Sequence, residues 1–470
     1  MTMASQGGPQ PDPIVVLEPV TSPKAWGEEL WLDSARPEGM ARIAGQSPAV
    51  GLATWLERDP RPLGRHARAL FGDTAPVFTK VIRTGFPPLV HVGFRRRVER
   101  DTLLGVLAAE QGGLRELRRT LGPGRAAFDG FQRRYAAWAT AQALARWQLD
   151  DAVTLAGELG PYVSADAARS LPATLTALRR NRAEFVDLLN EIDFEAEAGS
   201  LFLTPAGTMH AIFGLSHQTH PLDPSRRALA DLFQELAAAR ARNAPRDEID
   251  ADLDALIAAA PLTALRRGGA APPKNEAWLP LRLDGKPVIV EPQQSSDTTY
   301  SLADFYTPFV WGDGEARFRK GDAAAGLSVA QLEAYLQSLD LEATPIEQIR
   351  RRPEPVALAG TGPVRLFRVV DEPEAWPFFT VYTLELDGSP GRPAQLRGAP
   401  PAGVFQSVVV LEGAVSLRAE NGPAPHRLAA RTAAWVGADS GHYRLSSSEA
   451  ARVLLVSVPG PRGGAPQVDT

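Results

Sequence analysis

The sequence predicts a mainly β fold with α insertions, and three observations carry that prediction. Residues 14–95 hold short apolar runs, IVVLEPV, PVFTKVI and PPLVHVGF, cut by Pro and Gly as strands and turns are. From Arg95 to about Ile192 the spacing turns helical, with Phe128, Phe131, Tyr135 and Trp138 on one apolar stripe. Residues 364–459 then separate LFRVV, FFTVYTLEL, FQSVVVLEGAVSL, AAWVGAD and ARVLLVSVP by Gly and Pro turns, the pattern of a small all-β sandwich or barrel.

Taken in order, residues 1–13 (MTMASQGGPQPDP) have neither a basic n-region nor an apolar core and read as a disordered, cytosolic start. Residues 14–94 begin an N-terminal β unit, which 95–192 interrupts as a helical subdomain and 193–325 completes. In the second half, FEAEAGSLFLTPAGTMHAIFG reads as a turn, a strand and a tight corner. A helical hairpin is expected at 223–265, opened by Asp223-Pro224-Ser225 and marked by Leu229, Leu232, Phe233 and Leu236, then Ile249, Leu253, Leu256 and Ile257. In KNEAWLPLRLDGKPVIVEPQQ, Asp284-Gly285 between two apolar runs predicts a β-hairpin. Residues 326–360 form a helical connector ending in a Pro-rich linker, and 361–470 are the C-terminal β unit.

A chain of 470 residues exceeds one ordinary core. With net charge -5, from Lys+Arg 50 against Asp+Glu 55 and no basic block, it has no electrostatic footprint for nucleic acid or an anionic membrane. No apolar run approaches the roughly 18 residues of a membrane span. The expected location is the cytoplasm. Cysteine is absent, which excludes disulfides, thiolate catalysis and zinc held by sulfur, so a metal must use His, Asp, Glu or Gln. Lysine is scarce (Lys24, Lys80, Lys274, Lys286, Lys320), which adds weight to any lysine at a chemically interesting place.

The stretch TPAGTMHAIFGLSHQTHP places His210, His217 and His220, three of seven histidines, within eleven residues. On a strand, Lys274 and Glu276 share a face, as do Gln218 and His220; in a helix His217 and His220 share one instead. His91 lies in an apolar run, where a lone histidine is more often a hydrogen-bonded core residue than a ligand. Several such nitrogen and oxygen donors converging with an open position suit a divalent cation, and zinc favours imidazole with carboxylate.

These segments resemble type I mannose-6-phosphate isomerases, zinc-dependent cupin enzymes that interconvert mannose 6-phosphate and fructose 6-phosphate. LTPAGTMHAIFG is similar to the family's Pro-Ala-Gly-x-x-His-Ala strand, which implies His210 as a metal ligand. EPQQSSDTTY is similar to the segment after it, which implies a role for Glu291 near the substrate. KNEAW resembles the family's Lys-x-Glu-x-Trp strand, implying Glu276 as a ligand and Lys274 as an active-site lysine. LSHQTHP resembles the strand that completes the metal shell, implying Gln218 and His220, while PVFTKVIRTGFPPLVHVGF resembles the same strand at the family's own place and offers His91 as the rival. KAWGEELW is similar to the family's N-terminal Trp-Gly, and FQSVVVLEGAVSL resembles its C-terminal cupin.

The resemblance implies two cupin-like β-barrel or jelly-roll domains plus a helical subdomain, with metal ligands in the N-terminal cupin and none in the C-terminal one. It implies zinc or another divalent metal, a sugar or sugar phosphate as the small-molecule partner, Glu291 as base in a proton transfer through an enediol, and Lys274 as proton donor or charge stabiliser. One of Arg95, Arg96 and Arg97 is a candidate for the phosphate. Two departures stand out: the Gln-x-His and Lys-x-Glu segments here follow the Pro-Ala-Gly strand instead of preceding it, and Ser301 stands where the family has an arginine. The alternative they leave open is a catalytically inactive cupin that binds sugar or regulates.

Overall fold

The structure, a computed structural model, describes residues 12–24, 27–83, 89–144, 152–194, 196–213, 275–295, 309–312, 314–318, 339–358, 362–460 and 467–469. The expected hairpin at 223–265 lies outside them, as do His217, Gln218, His220, Lys274, Ser301, residues 1–11 and residues 326–338.

The described chain is mainly β, and four of the five antiparallel sheets among the described residues stack face to face. The outermost is three-stranded, with Leu89–Phe94 between Leu189–Ile192 and His210–Phe213. Next comes a seven-stranded sheet in the order Arg350–Arg351, Leu201–Thr204, Glu276–Leu283, Lys286–Gln294, Val77–Arg83, Gly27–Trp31, Val20–Lys24. The expected Asp-Gly hairpin sits at its centre: Asp284 (φ 51°) and Gly285 (φ 73°) both take the left-handed conformation that a two-residue turn between twisted strands requires.

The third sheet has eight strands and the fourth five. In the eight-stranded sheet, Val409, Leu411, Trp435 and Leu454 join a core shared with Leu30, Val81, Leu279 and Val290 of the seven-stranded sheet. Their neighbours Val408, Val410, Ala434 and Leu455 point the other way, into a core shared with Leu396, Leu417 and Leu445 of the five-stranded sheet. Burial on both faces explains why these strands read as unbroken apolar runs rather than alternating ones. The same logic places Ile14–Glu18. Though it precedes the N-terminal unit in the chain, it pairs with Thr432–Val436 of the eight-stranded sheet, sending Val15 and Leu17 into one core and Ile14 into the other.

Helices Arg100–Thr120, Arg125–Leu144, Ala152–Leu159 and Leu171–Asp187 form the helical subdomain. The expected stripe is buried there, with Phe128, Phe131, Tyr135 and Trp138 packed on Leu114, Leu155 and Leu175. Arg182 is fully buried in this subdomain and pairs with Glu110 at 2.7 Å and with the Tyr135 hydroxyl. No described helix is long and apolar enough to cross a membrane.

Asp33 ties the seven- and eight-stranded sheets together: fully buried, it accepts hydrogen bonds from the Thr79 amide (2.6 Å) and the Ser407 hydroxyl (2.5 Å). Burial raises its carboxyl from 3.8 to about 6, against the opposing effect of those hydrogen bonds. Between those two values the folded chain holds a proton that the unfolded chain releases, so stability falls as pH rises through the window. A shift of this size corresponds to about 3 kcal/mol. Asp33→Asn keeps both contacts if its amide group faces Ser407, and no longer titrates. Urea unfolding is therefore expected to show this variant gaining about 3 kcal/mol on the wild type between pH 4 and pH 7; parallel curves would refute the assignment.

Candidate active site

The seven-stranded sheet has two chemically distinct faces, because its strands alternate. One carries Leu30, Val81, Val290, Leu279 and Leu203 into the apolar core. The cross-strand pairs Thr204↔Glu276, Glu276↔Gln293, Glu291↔Lys80 and Lys80↔Trp31 place these side chains, with Glu29, on the opposite face. All are buried, at 3% exposure or less.

Buried charges cost several kcal/mol each unless they are paired, and the pairing here is shared. Lys80 Nζ lies 3.5 Å from Glu291 Oε1 and 3.8 Å from Glu29 Oε2. The Trp31 indole N–H donates to Glu29 at 3.0 Å, and Lys80 Nζ sits 4.9 Å from the centre of the same tryptophan's ring. One ammonium thus stands between two carboxylates. With Glu276, the described side chains of this face include three carboxylates and one ammonium.

His210 approaches this face from the three-stranded sheet. The corner before it turns at Gly207 (φ 88°) and is closed by Thr208 N–H donating to the Pro205 carbonyl at 2.9 Å. His210 Nδ1 is 3.0 Å from the Thr208 carbonyl, which only accepts, so Nδ1 carries a proton, and in the neutral ring Nε2 presents its lone pair. That lone pair faces Glu276 Oε1 at 3.1 Å, and the ring meets Trp278 edge to face at 5.2 Å. Two acceptors pointed at each other repel unless a proton or a metal ion lies between them. Zinc bond lengths place a nitrogen and an oxygen ligand of one tetrahedral ion about 3.4 Å apart, so these two donors fit a shared cation. A metal-ligating histidine commonly donates its other ring N–H to a backbone carbonyl, as His210 does.

His91 is placed differently. Val92 is the residue paired with His210, and alternation turns His91, paired with Ala211, to the other face of the three-stranded sheet. There it is buried with Nδ1 3.2 Å from the Asn190 carbonyl. The structure brings His210 and Glu276 together and does not bring His91 to them. Gln218, His220 and Lys274 lie outside the described residues, and among the described residues no group of three His, Asp or Glu side chains is gathered as a metal centre. Arg95, Arg96 and Arg97 are exposed and engaged in surface ion pairs with Asp187, Glu99 and Glu342.

Sequence reasoning did not single out Lys80, Glu29, Trp31 or Gln293 as site residues. A signal existed: Lys80 is one of five lysines and the only charge inside PVFTKVI, and Gln293 stands two residues beyond Glu291, on the same face of a strand.

No protein-family model and no curated protein matches the chain. Among solved structures it is similar to a point mutant of phosphomannose isomerase from Salmonella typhimurium, at 13% identity and a TM-score of 0.44, covering 95% of this chain and 99% of that one. It is also similar to the mannose 6-phosphate isomerase of Bacillus subtilis, at 12% identity and a TM-score of 0.39, covering 94% of this chain and 99% of that one. These are distant likenesses.

If Lys80 holds two buried carboxylates, Lys80→Met is expected to lower the unfolding free energy by about 3–5 kcal/mol. Adding Glu29→Gln should restore part of that loss, because one of the stranded charges is then gone. Urea denaturation of the single and double variants measures both, and a loss under about 1 kcal/mol would rule out a tight ion cluster.

Proposed function

We propose that this chain is a metal-dependent aldose–ketose isomerase acting on a sugar phosphate, of the mannose 6-phosphate to fructose 6-phosphate type. The observation that carries this proposal is the convergence of His210 Nε2 and Glu276 Oε1 at 3.1 Å on a buried face that also bears Glu291. His210 and Glu276 would hold the cation, with Gln218 and His220 as the further ligands implied by the resemblance; His91 faces the other way and is left out of this set. When bound, a divalent cation there supplies Lewis-acid polarisation of the substrate's carbonyl and hydroxyl oxygens.

The chain's own residues do the rest. Glu291 is the base that removes the proton from the carbon beside the carbonyl and returns it to the neighbouring carbon. Lys80 orients its carboxylate from 3.5 Å. When Glu291 takes up the proton and loses its charge, Lys80 is not stranded, because Glu29 remains 3.8 Å away, itself anchored by the Trp31 indole. A shared lysine thus lets one carboxylate change charge inside a buried site without leaving an unpaired ammonium. Lys274, two residues before Glu276, is the proposed proton donor or charge stabiliser.

Ser301, where the resembling family has an arginine, supports a second reading: a protein that keeps the pocket and binds a sugar without turnover. The two separate experimentally. The isomerase is expected to carry about one zinc or similar ion per chain, lost in His210→Ala and Glu276→Ala but kept in His91→Ala. In a coupled assay on mannose 6-phosphate, Glu291→Gln should cut kcat by about 10²–10⁴-fold while the metal stays bound. Metal without turnover on any aldose or ketose tested selects the binding protein; no metal in the wild type removes both.

A further inference from the structure

We propose that Asn275 is a positioning residue that sets the orientation of His210 toward Glu276. The inference builds on the metal reading above for its purpose, though not for its geometry. The pairing of Leu201–Thr204 with Glu276–Leu283 ends at Thr204↔Glu276, because the next residue, Pro205, has no N–H to continue the ladder. Asn275 extends it with a side chain. Its Oδ1 accepts from the Ala206 N–H at 2.8 Å, the first amide of the corner that leads to His210.

The orientation of the Asn275 amide is dictated by its partners. A backbone N–H only donates, so Oδ1 must face Ala206 and Nδ2 must face Gln294, whose Oε1 it meets at 2.7 Å. Gln294 in turn donates its backbone N–H to the Asn275 carbonyl at 2.9 Å and accepts the Asn275 N–H at 3.3 Å. Asn275 is 7% exposed. One side chain therefore clamps the corner to the ends of two strands. The corner supplies the Thr208 carbonyl that selects the tautomer of His210, and the residue after Asn275 is Glu276. Asn275 hydrogen-bonds to neither donor side chain, yet it fixes the backbone from which each projects, as the outer supports of metal ligands do.

Two readouts on the full-length chain separate this role from general stabilisation: the imidazole ¹⁵N shifts of His210 in metal-free protein, which report its tautomer, and titration with cobalt(II) followed by its visible absorption. Asn275→Ala is expected to mix the two tautomers and weaken cobalt binding about 10–100-fold. Asn275→Asp, which keeps an acceptor for Ala206, should recover part of both. If the alanine variant does not fold, Gln294→Ala is expected to move both readouts in the same direction by less. A folded Asn275→Ala with a pure Nδ1-protonated His210 and wild-type cobalt affinity overturns the inference. If the wild type itself binds no cobalt, the metal reading falls and the tautomer alone decides: a shifted tautomer in Asn275→Ala sustains the positioning role, and an unchanged one ends it.

Discussion

One buried lysine between two buried carboxylates is the constraint around which the polar face is organised. A strand face that carries Glu29, Lys80, Glu291 and Glu276 out of water is stable only if these charges answer one another. The antiparallel register does this by setting Lys80 directly opposite Glu291 on one side and Trp31 on the other. The opposite face of the same strands sends Leu30, Val81, Val290 and Leu279 into the large core. That packing holds the strands at fixed register, so it also fixes the distances between the charges. A slip of one residue would exchange the two faces.

His210 and Glu276 meet because sheet order, not chain order, decides which residues are neighbours. The strand Leu201–Thr204 lies beside Glu276–Leu283 although some seventy residues separate them in the chain. The corner after Thr204 then swings His210 over the face that its neighbour strand presents. A carboxylate arriving late in the chain thus reaches this face through its pairing partners.

Much of this was legible in the sequence where a local rule decided the outcome. Asp284-Gly285 marked the hairpin because few residues other than Gly and Asp or Asn tolerate the left-handed turn, and the stripe Phe128, Phe131, Tyr135 and Trp138 marked a buried helix face. The Pro-Ala-Gly corner before His210 and the Glu at 276 were visible as motifs. Non-local decisions were not legible. Nothing in IVVLE announces that Ile14–Glu18 pairs with Thr432–Val436, since an apolar strand covered on both faces fits several sheets equally well. Lys80 looked like part of an ordinary strand, because its importance comes from Glu29 and Glu291, which lie far from it in the chain. His91 differs from its neighbour Val92 by one step of alternation, and that step, read from pairing with His210, turns it away.

The account is tested most directly by a crystal of the full chain grown with cobalt and measured at the cobalt absorption edge. It predicts one anomalous peak between His210 Nε2 and the Glu276 carboxylate, with Glu291 on the same face. A peak elsewhere, or a hydrogen-bonded proton alone between those two side chains at saturating cobalt, would contradict it.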